Sequence, residues 1–205
     1  LGYDVQLFYA ESGRTYLSKG FLKQAKKLAL KNIPALKKFA DQGLPVVGLE
    51  PSAVLSFRDE YKRFSNDAEA TNAIALNSYL LEEFLSIEIQ KGELTSELFT
   101  QEAKTVKIHG HCHQKALSNQ KVTFDVLNLP KNYTVSIISS GCCGMAGSFG
   151  YEKEHYEVSM QIGELTDMKS ARKRLPDWRK KRYAAIKART KQNGTLNLCC
   201  RLAIA

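Results

Sequence analysis

A chain of 205 residues, 43% hydrophobic and 25% charged, has the makeup of a globular protein that buries its core as one domain or as two small halves. Its formal charge of +9 is unevenly placed: residues 1–164 hold 18 Lys+Arg against 19 Asp+Glu, net −1, and residues 165–205 hold 12 Lys+Arg against 2 Asp, net +10. A neutral body gives no reason to expect nucleic acid as its partner, and no apolar run approaches the roughly 20 residues that span a bilayer, which leaves only peripheral membrane association open.

The chain starts at Leu1 rather than Met and runs at once into Val5–Phe8, which reads as a strand. With no basic-then-apolar leader ahead of it, the expectation is a piece of a longer cytoplasmic protein. A long amphipathic helix is predicted from Ser18-Lys19-Gly20 to about Gln42, with Leu22, Ala25, Leu28, Ala29, Ile33, Leu36 and Phe39 on its apolar side. Pro34 is expected to split or kink it, and Gly43 to end it. Leu44–Leu49 reads as a buried strand, and Glu50-Pro51-Ser52 as the turn opening a helix towards Phe64.

The second half repeats this plan. Asn77 to about Glu88 is predicted helical, Thr105–His109 a strand ending in a histidine-rich turn, and Gln114–Leu127 a helix. Tyr133–Ile138 is the clearest strand in the chain and runs straight into a glycine–cysteine turn, with a helix following from about Glu152 to Gly163. The basic stretch Lys169–Lys191 holds Trp178 and Tyr183 but no nucleic-acid module pattern, so it reads as a solvated helical face. Strands separated by helices predict an α/β fold with largely parallel strands flanked by helices. Ligands of such sheets gather beyond the carboxyl ends of the strands. Glu50, His109–His113 and Gly141–Gly144 all follow a strand end, so they are read together as one site.

Cys112, Cys142 and Cys143 carry the chemistry. An odd total of five cysteines, with Cys142-Cys143 and Cys199-Cys200 adjacent, argues against a disulfide framework. Thiolate sulfur is the preferred ligand of iron–sulfur clusters and of zinc. Gly141 and Gly144 let the backbone turn tightly and direct N–H groups at sulfur or an anion. His109, His111 and His113 offer imidazole nitrogens, although an extended segment puts them opposite Cys112, so a turn is required to present them together. The competing reading makes Cys142 and Cys143 small buried residues of a tight turn. Gly144, Gly147 and Gly150 do not have the spacing of a dinucleotide fingerprint or the ending of a phosphate loop. Lys115 is a candidate for steering an anion.

Four stretches resemble the CCG-type cysteine-rich domain: Ser12-Gly13-Arg14 with Ser18-Lys19-Gly20; Val47–Ser52 with Arg58–Tyr61; His109–Leu117; and Ser140–Glu157. This family includes the iron–sulfur subunit of glycolate oxidase and the cysteine-rich subunit of heterodisulfide reductase. The match is nearest to the C-terminal region of fused FAD-linked D-lactate or D-2-hydroxyglutarate dehydrogenases. The resemblance implies two similar small α/β halves, residues 1–75 and 76–164, with 165–205 as a basic tail departing from the family. It further implies an iron–sulfur cluster or zinc on Cys112, Cys142 and Cys143, with His111 or His113 completing a zinc set, and cofactor contacts at Gly141 and Gly144. The implied function is an electron-transfer or accessory domain beside a separate FAD domain or subunit and a ferredoxin-like iron–sulfur domain. The alternative is a docking module that keeps the fold without a cluster.

The departures lie mainly in the first half. Glu11-Ser12-Gly13 stands where relatives have Cys-Cys-Gly, and Ala53 follows Glu50-Pro51-Ser52 where they have cysteine. That half therefore offers no thiolate, and Glu11, Arg14 and Glu50 are left as a polar group. A four-thiolate set would need Cys199 or Cys200 from the tail, where the resemblance has stopped.

Overall fold

The computed structural model describes residues 1–139, 141–165 and 203–204. The chain forms two compact units: Leu1–Ile137 with the short strand Ala203–Ile204, and the described residues from Ile138 onward. Cys199, Cys200, Trp178, Tyr183 and the rest of the basic tail lie outside the described residues.

In the first unit a short helix α1 (Arg14–Ser18) leads into α2 (Leu22–Asp41). The apolar side of α2 buries Ala25, Ala29, Ile33, Leu36 and Ala40, and from Ala29 onward these join Tyr61, Ala70 and Ile74 in the main core. Each large aliphatic side chain so buried contributes about 1.5–3 kcal/mol. Pro34 lies inside this helix and does not split it. Pro34 and Leu30 both face solvent. Water can therefore serve the Leu30 carbonyl that loses its partner, while the buried flank holds the helix together.

Strand β1 (Val46–Gly48) is followed by α3 (Pro51–Leu55), α4 (Glu60–Phe64) and α5 (Ala68–Asn77), then strand β2 (Ser78–Leu80) and helix α6 (Leu81–Gln90). β1 and β2 pair in parallel, Val46 with Ser78 and Gly48 with Leu80. The predicted helix from Asn77 therefore begins only at Leu81. Ser78 and Leu80 are fully buried, and pairing with β1 overrides the helical spacing of the apolar residues.

The second β–helix–β passage repeats the first. Strand β3 (Lys104–Ile108) is followed by α7 (Cys112–Leu117) and α8 (Gln120–Leu127), and strand β4 (Tyr133–Ile137) lies parallel to β3. Helices following parallel strands are the α/β architecture read from the sequence. The one helix predicted over Gln114–Leu127 is two, because Ser118 is extended and Asn119 caps the second by accepting from Lys121 N–H. The short strand β5 (Ala203–Ile204) pairs antiparallel to β3. In the second unit two single 3-10 turns, Phe149–Tyr151 and Lys153–His155, precede helix α9 (Tyr156–Leu165).

The strand expected at Val5–Phe8 does not form; residues 1–12 are irregular and pair with no strand among the described residues. Tyr3 is tied to α6 by its hydroxyl, which donates to Glu88 Oε2 at 2.8 Å, and Phe8 packs edge-on against Phe39. Val5, Leu7 and Tyr9 are 71%, 72% and 85% exposed. Alternation without a neighbouring ladder is not enough to make a strand.

Candidate functional site

In the first unit the ends of β1 and β3 each run into a helix capped by a polar side chain. Glu50 accepts from Ser52 N–H at 3.1 Å and Ala53 N–H at 2.5 Å, starting α3. His111 Nδ1 accepts from His113 N–H at 3.1 Å, starting α7. Both caps satisfy orphan N–H groups of a helix's first turn. α3 packs against α7, which brings His111 Nε2 to 3.9 Å from Glu50 Oε1.

The caps decide what the histidines can do. A neutral imidazole has one lone pair, and that of His111 is taken by the helix cap, so its proton sits on Nε2 facing Glu50. His111 is therefore a capping residue in this arrangement, and a metal would have to displace the cap. His113 is half-buried, and its imidazole titrates below the usual 6.5 because burial disfavours the charged form. Arg14 pushes the same way, while Glu60, Glu50 and Asp59 oppose it. A histidine kept neutral keeps its lone pair, as a metal ligand requires. His109 is half-buried at the end of β3, and Cys112 is exposed on the first turn of α7. α7 turns the chain from Cys112 onward, but His109, His111, His113 and Cys112 do not gather as a metal-binding group among the described residues.

The Glu11-Ser12-Gly13 turn is held from beneath by two buried side chains. Asn32 Nδ2 donates to the Glu11 carbonyl at 2.7 Å and to Tyr61 Oη at 2.9 Å, and Tyr61 in turn donates to the Ser12 carbonyl at 2.9 Å. Asn32 is 4% exposed, and burial drives the Tyr61 hydroxyl up to about 12. Gly13 has φ of 81°, and a Cβ there would lie 3.1 Å from the Ala25 carbonyl oxygen. Beyond the turn, Arg14 pairs with Glu60. Sequence reading passed over Asn32, although a lone amide within the apolar stripe of α2 was a signal available to it.

The second unit carries the double-cysteine turn. Cys142 and Cys143 are half-buried, Gly141 is exposed and Gly144 is buried. Gly144 N–H donates to Cys142 Sγ at 3.3 Å. Gly144 has φ of 81°, and a Cβ there would come within 2.1 Å of the Ser159 carbonyl oxygen on α9, so only glycine fits. Ala146 also adopts positive φ, 38°, an uncommon and costly conformation for alanine. On the same loop His155 stacks on Phe149 with ring centroids 4.1 Å apart, and its Nδ1 lies 2.8 Å from Glu152 Oε2.

Over 178 residues the chain is 31% identical to a D-2-hydroxyglutarate dehydrogenase of Escherichia coli strain K12, covering 86% of this chain and 17% of the relative. A D-2-hydroxyglutarate dehydrogenase of Pantoea ananatis is 30% identical over 168 residues, 81% of this chain and 16% of the relative. The third subunit of the anaerobic glycerol-3-phosphate dehydrogenase of E. coli K12 is 27% identical over 166 residues, 80% of this chain and 41% of the relative. The chain thus spans about a sixth of the length of the first two relatives and about two-fifths of the third. No family profile matches the chain, and no solved structure matches it.

The donor chemistry of the second unit fits part of a thiolate ligand set. Two sulfurs stand on adjacent residues, and one already receives a backbone N–H, the usual environment of a metal-bound thiolate. The set is incomplete, because no three His, Cys, Asp or Glu side chains gather as a metal-binding group among the described residues. The first unit's Glu11–Gly13 turn does not fit such a group, since it offers no sulfur and its carbonyls are already bonded.

Proposed function

We propose that this chain is an electron-transfer or accessory region of an FAD-dependent D-2-hydroxyacid dehydrogenase of the lactate, glycolate or 2-hydroxyglutarate type. It would be a CCG-type cysteine-rich domain with halves at 1–75 and 76–164. The observation that carries the reading is the match to two dehydrogenases over four-fifths or more of the chain. A match that long cannot miss the stretch from His109 to Gly144, where the thiols and glycine turns lie.

In this reading FAD sits on a separate domain, and the partners are that domain or subunit and a ferredoxin-like iron–sulfur domain. Cys112, Cys142 and Cys143 would hold an iron–sulfur cluster or zinc, with His113 the better imidazole candidate. A bound cluster would supply one-electron relay, and zinc would supply only a fixed turn. The chain's own residues position the sulfurs: the N–H of Gly144 donates to Cys142 Sγ, and the packing of Gly144 under Ser159 holds the turn in place. Among the described residues no helix is long and apolar enough to cross a membrane.

The test is turnover of D-2-hydroxyglutarate by the parent protein carrying Cys142→Ser and Cys143→Ser. Loss of electron delivery to an external acceptor, with flavin reduction intact, is the expected result. Unchanged turnover would support a second reading, a docking module without a cluster. That reading is favoured by the first-half turn, which Asn32 and Tyr61 close with protein groups alone.

A further inference from the structure

Glu83 receives more hydrogen bonds than helix capping requires. Its carboxylate accepts Leu80 N–H at 2.8 Å, which starts α6. It also accepts Arg58 Nη1 at 2.9 Å, Arg58 Nη2 at 2.5 Å and Ser118 Oγ at 2.5 Å. Arg58 in turn donates from Nε and Nη2 to the Ser78 carbonyl at 2.9 and 2.6 Å. The Arg58 and Glu83 side chains are only 23% and 13% exposed, so the network is largely shielded from water.

Its members stand at the far ends of the two site helices. Ser118 directly follows α7, whose first residue is Cys112 and whose cap is His111. Arg58 follows α3, whose cap is Glu50. A helix of six residues is about 9 Å long and too short to hold itself in water. Its start is therefore placed by what grips it from outside: the His111 cap at one end, Ser118 on Glu83 at the other, and between them buried Gln114, which donates to Thr123 Oγ1 at 2.8 Å. We propose that Glu83 is a positioning residue for the Cys112 turn, acting through Ser118 and setting the approach of α3 and α7 through Arg58. This rests on the reading that Cys112 is a metal ligand.

The test compares Ser118→Ala, Ser118→Thr and Glu83→Gln in the full chain by two readouts: affinity for zinc ion alone, and the iodoacetamide alkylation rate at Cys112 followed by peptide mass spectrometry. Ser118→Ala and Glu83→Gln are expected to weaken zinc binding about ten-fold or more, the range seen when a residue supporting a ligand is lost. Ser118→Thr, which keeps the hydroxyl, is expected to restore it; loss of α6 capping alone gives no such rescue. Zinc affinity equal to wild type in folded Ser118→Ala would overturn the proposal. A wild-type chain that binds no zinc would count against the ligand reading instead, and alkylation then decides. A Cys112 rate changed about five-fold, the ratio for one lost hydrogen bond, and reversed by Ser118→Thr upholds the positioning role. An unchanged rate overturns it, and Ser118→Ala keeps the test open should Glu83→Gln not fold.

Discussion

Two turns in this molecule share a skeleton and differ in content. Glu11-Ser12-Gly13 and Cys142-Cys143-Gly144 each end in a glycine with φ of 81°, and each glycine lies under a backbone carbonyl of a helix later in the chain, Ala25 in α2 and Ser159 in α9. In the first, the carbonyls of Glu11 and Ser12 are held by Asn32 and Tyr61. In the second, the sulfur of Cys142 receives the Gly144 N–H. The glycine and the helix above it set the path of the backbone; the two residues before the glycine differ, with carbonyls held by Asn32 and Tyr61 in the one turn and two thiols in the other.

Alanine at the two glycines gives the largest expected effects. Gly144→Ala is expected to destabilise the second unit by about 3 kcal/mol or more, since positive φ adds to a backbone clash that cannot relax cheaply. Gly13→Ala, with more room above it, is expected to cost about 1–2 kcal/mol in the first unit. Denaturant titration read by amide exchange in α9 and α2 checks both, and equal costs would break the comparison.

A smaller effect tests the protein-made closure. Asn32→Ala leaves the Glu11 carbonyl without its buried donor and is expected to cost about 1–3 kcal/mol, with Tyr61→Phe costing about 1 kcal/mol. Chemical denaturation of each variant measures this. If neither moves the unfolding midpoint, the clamp is incidental and the first turn is held by Gly13 alone.

The smallest effect is a pH dependence confined to the first unit. Burial works to raise the Glu83 carboxyl, but hydrogen bonds from Arg58, Ser118 and Leu80 N–H, with the Arg58 charge, outweigh it and hold the group below its usual 4.5. A depressed carboxyl contributes stability that is present above the unfolded value and lost as pH falls through the folded one. Wild type should therefore lose stability below about pH 4.5, with a flatter profile in Glu83→Gln. Parallel acid profiles of the two proteins would show that the network does not depend on the charge.

Much of this fold was legible in the sequence. β1, β3 and β4 stand where compact apolar runs end in glycine, histidine or serine-rich turns, and α2 follows its apolar spacing through Pro34. β2 was not legible, because Ser78-Tyr79-Leu80 sits inside helical spacing and is strand only through pairing with β1. Val5–Phe8 failed in the opposite sense: it has the alternation of a strand and no partner strand among the described residues. At the site, the double-cysteine turn was visible because adjacent thiols between glycines are unusual. The Arg58–Glu83–Ser118 network was invisible, since its members lie 25 and 35 positions apart and only the fold brings them together.

Metal content tests the contrast between the two turns most directly. The protein, purified without oxygen, should carry iron with sulfide, or zinc, and lose it on Cys142→Ser with Cys143→Ser while keeping it on Ser12→Ala. A metal content indifferent to Cys142 and Cys143, or no metal in the wild type, would contradict the account.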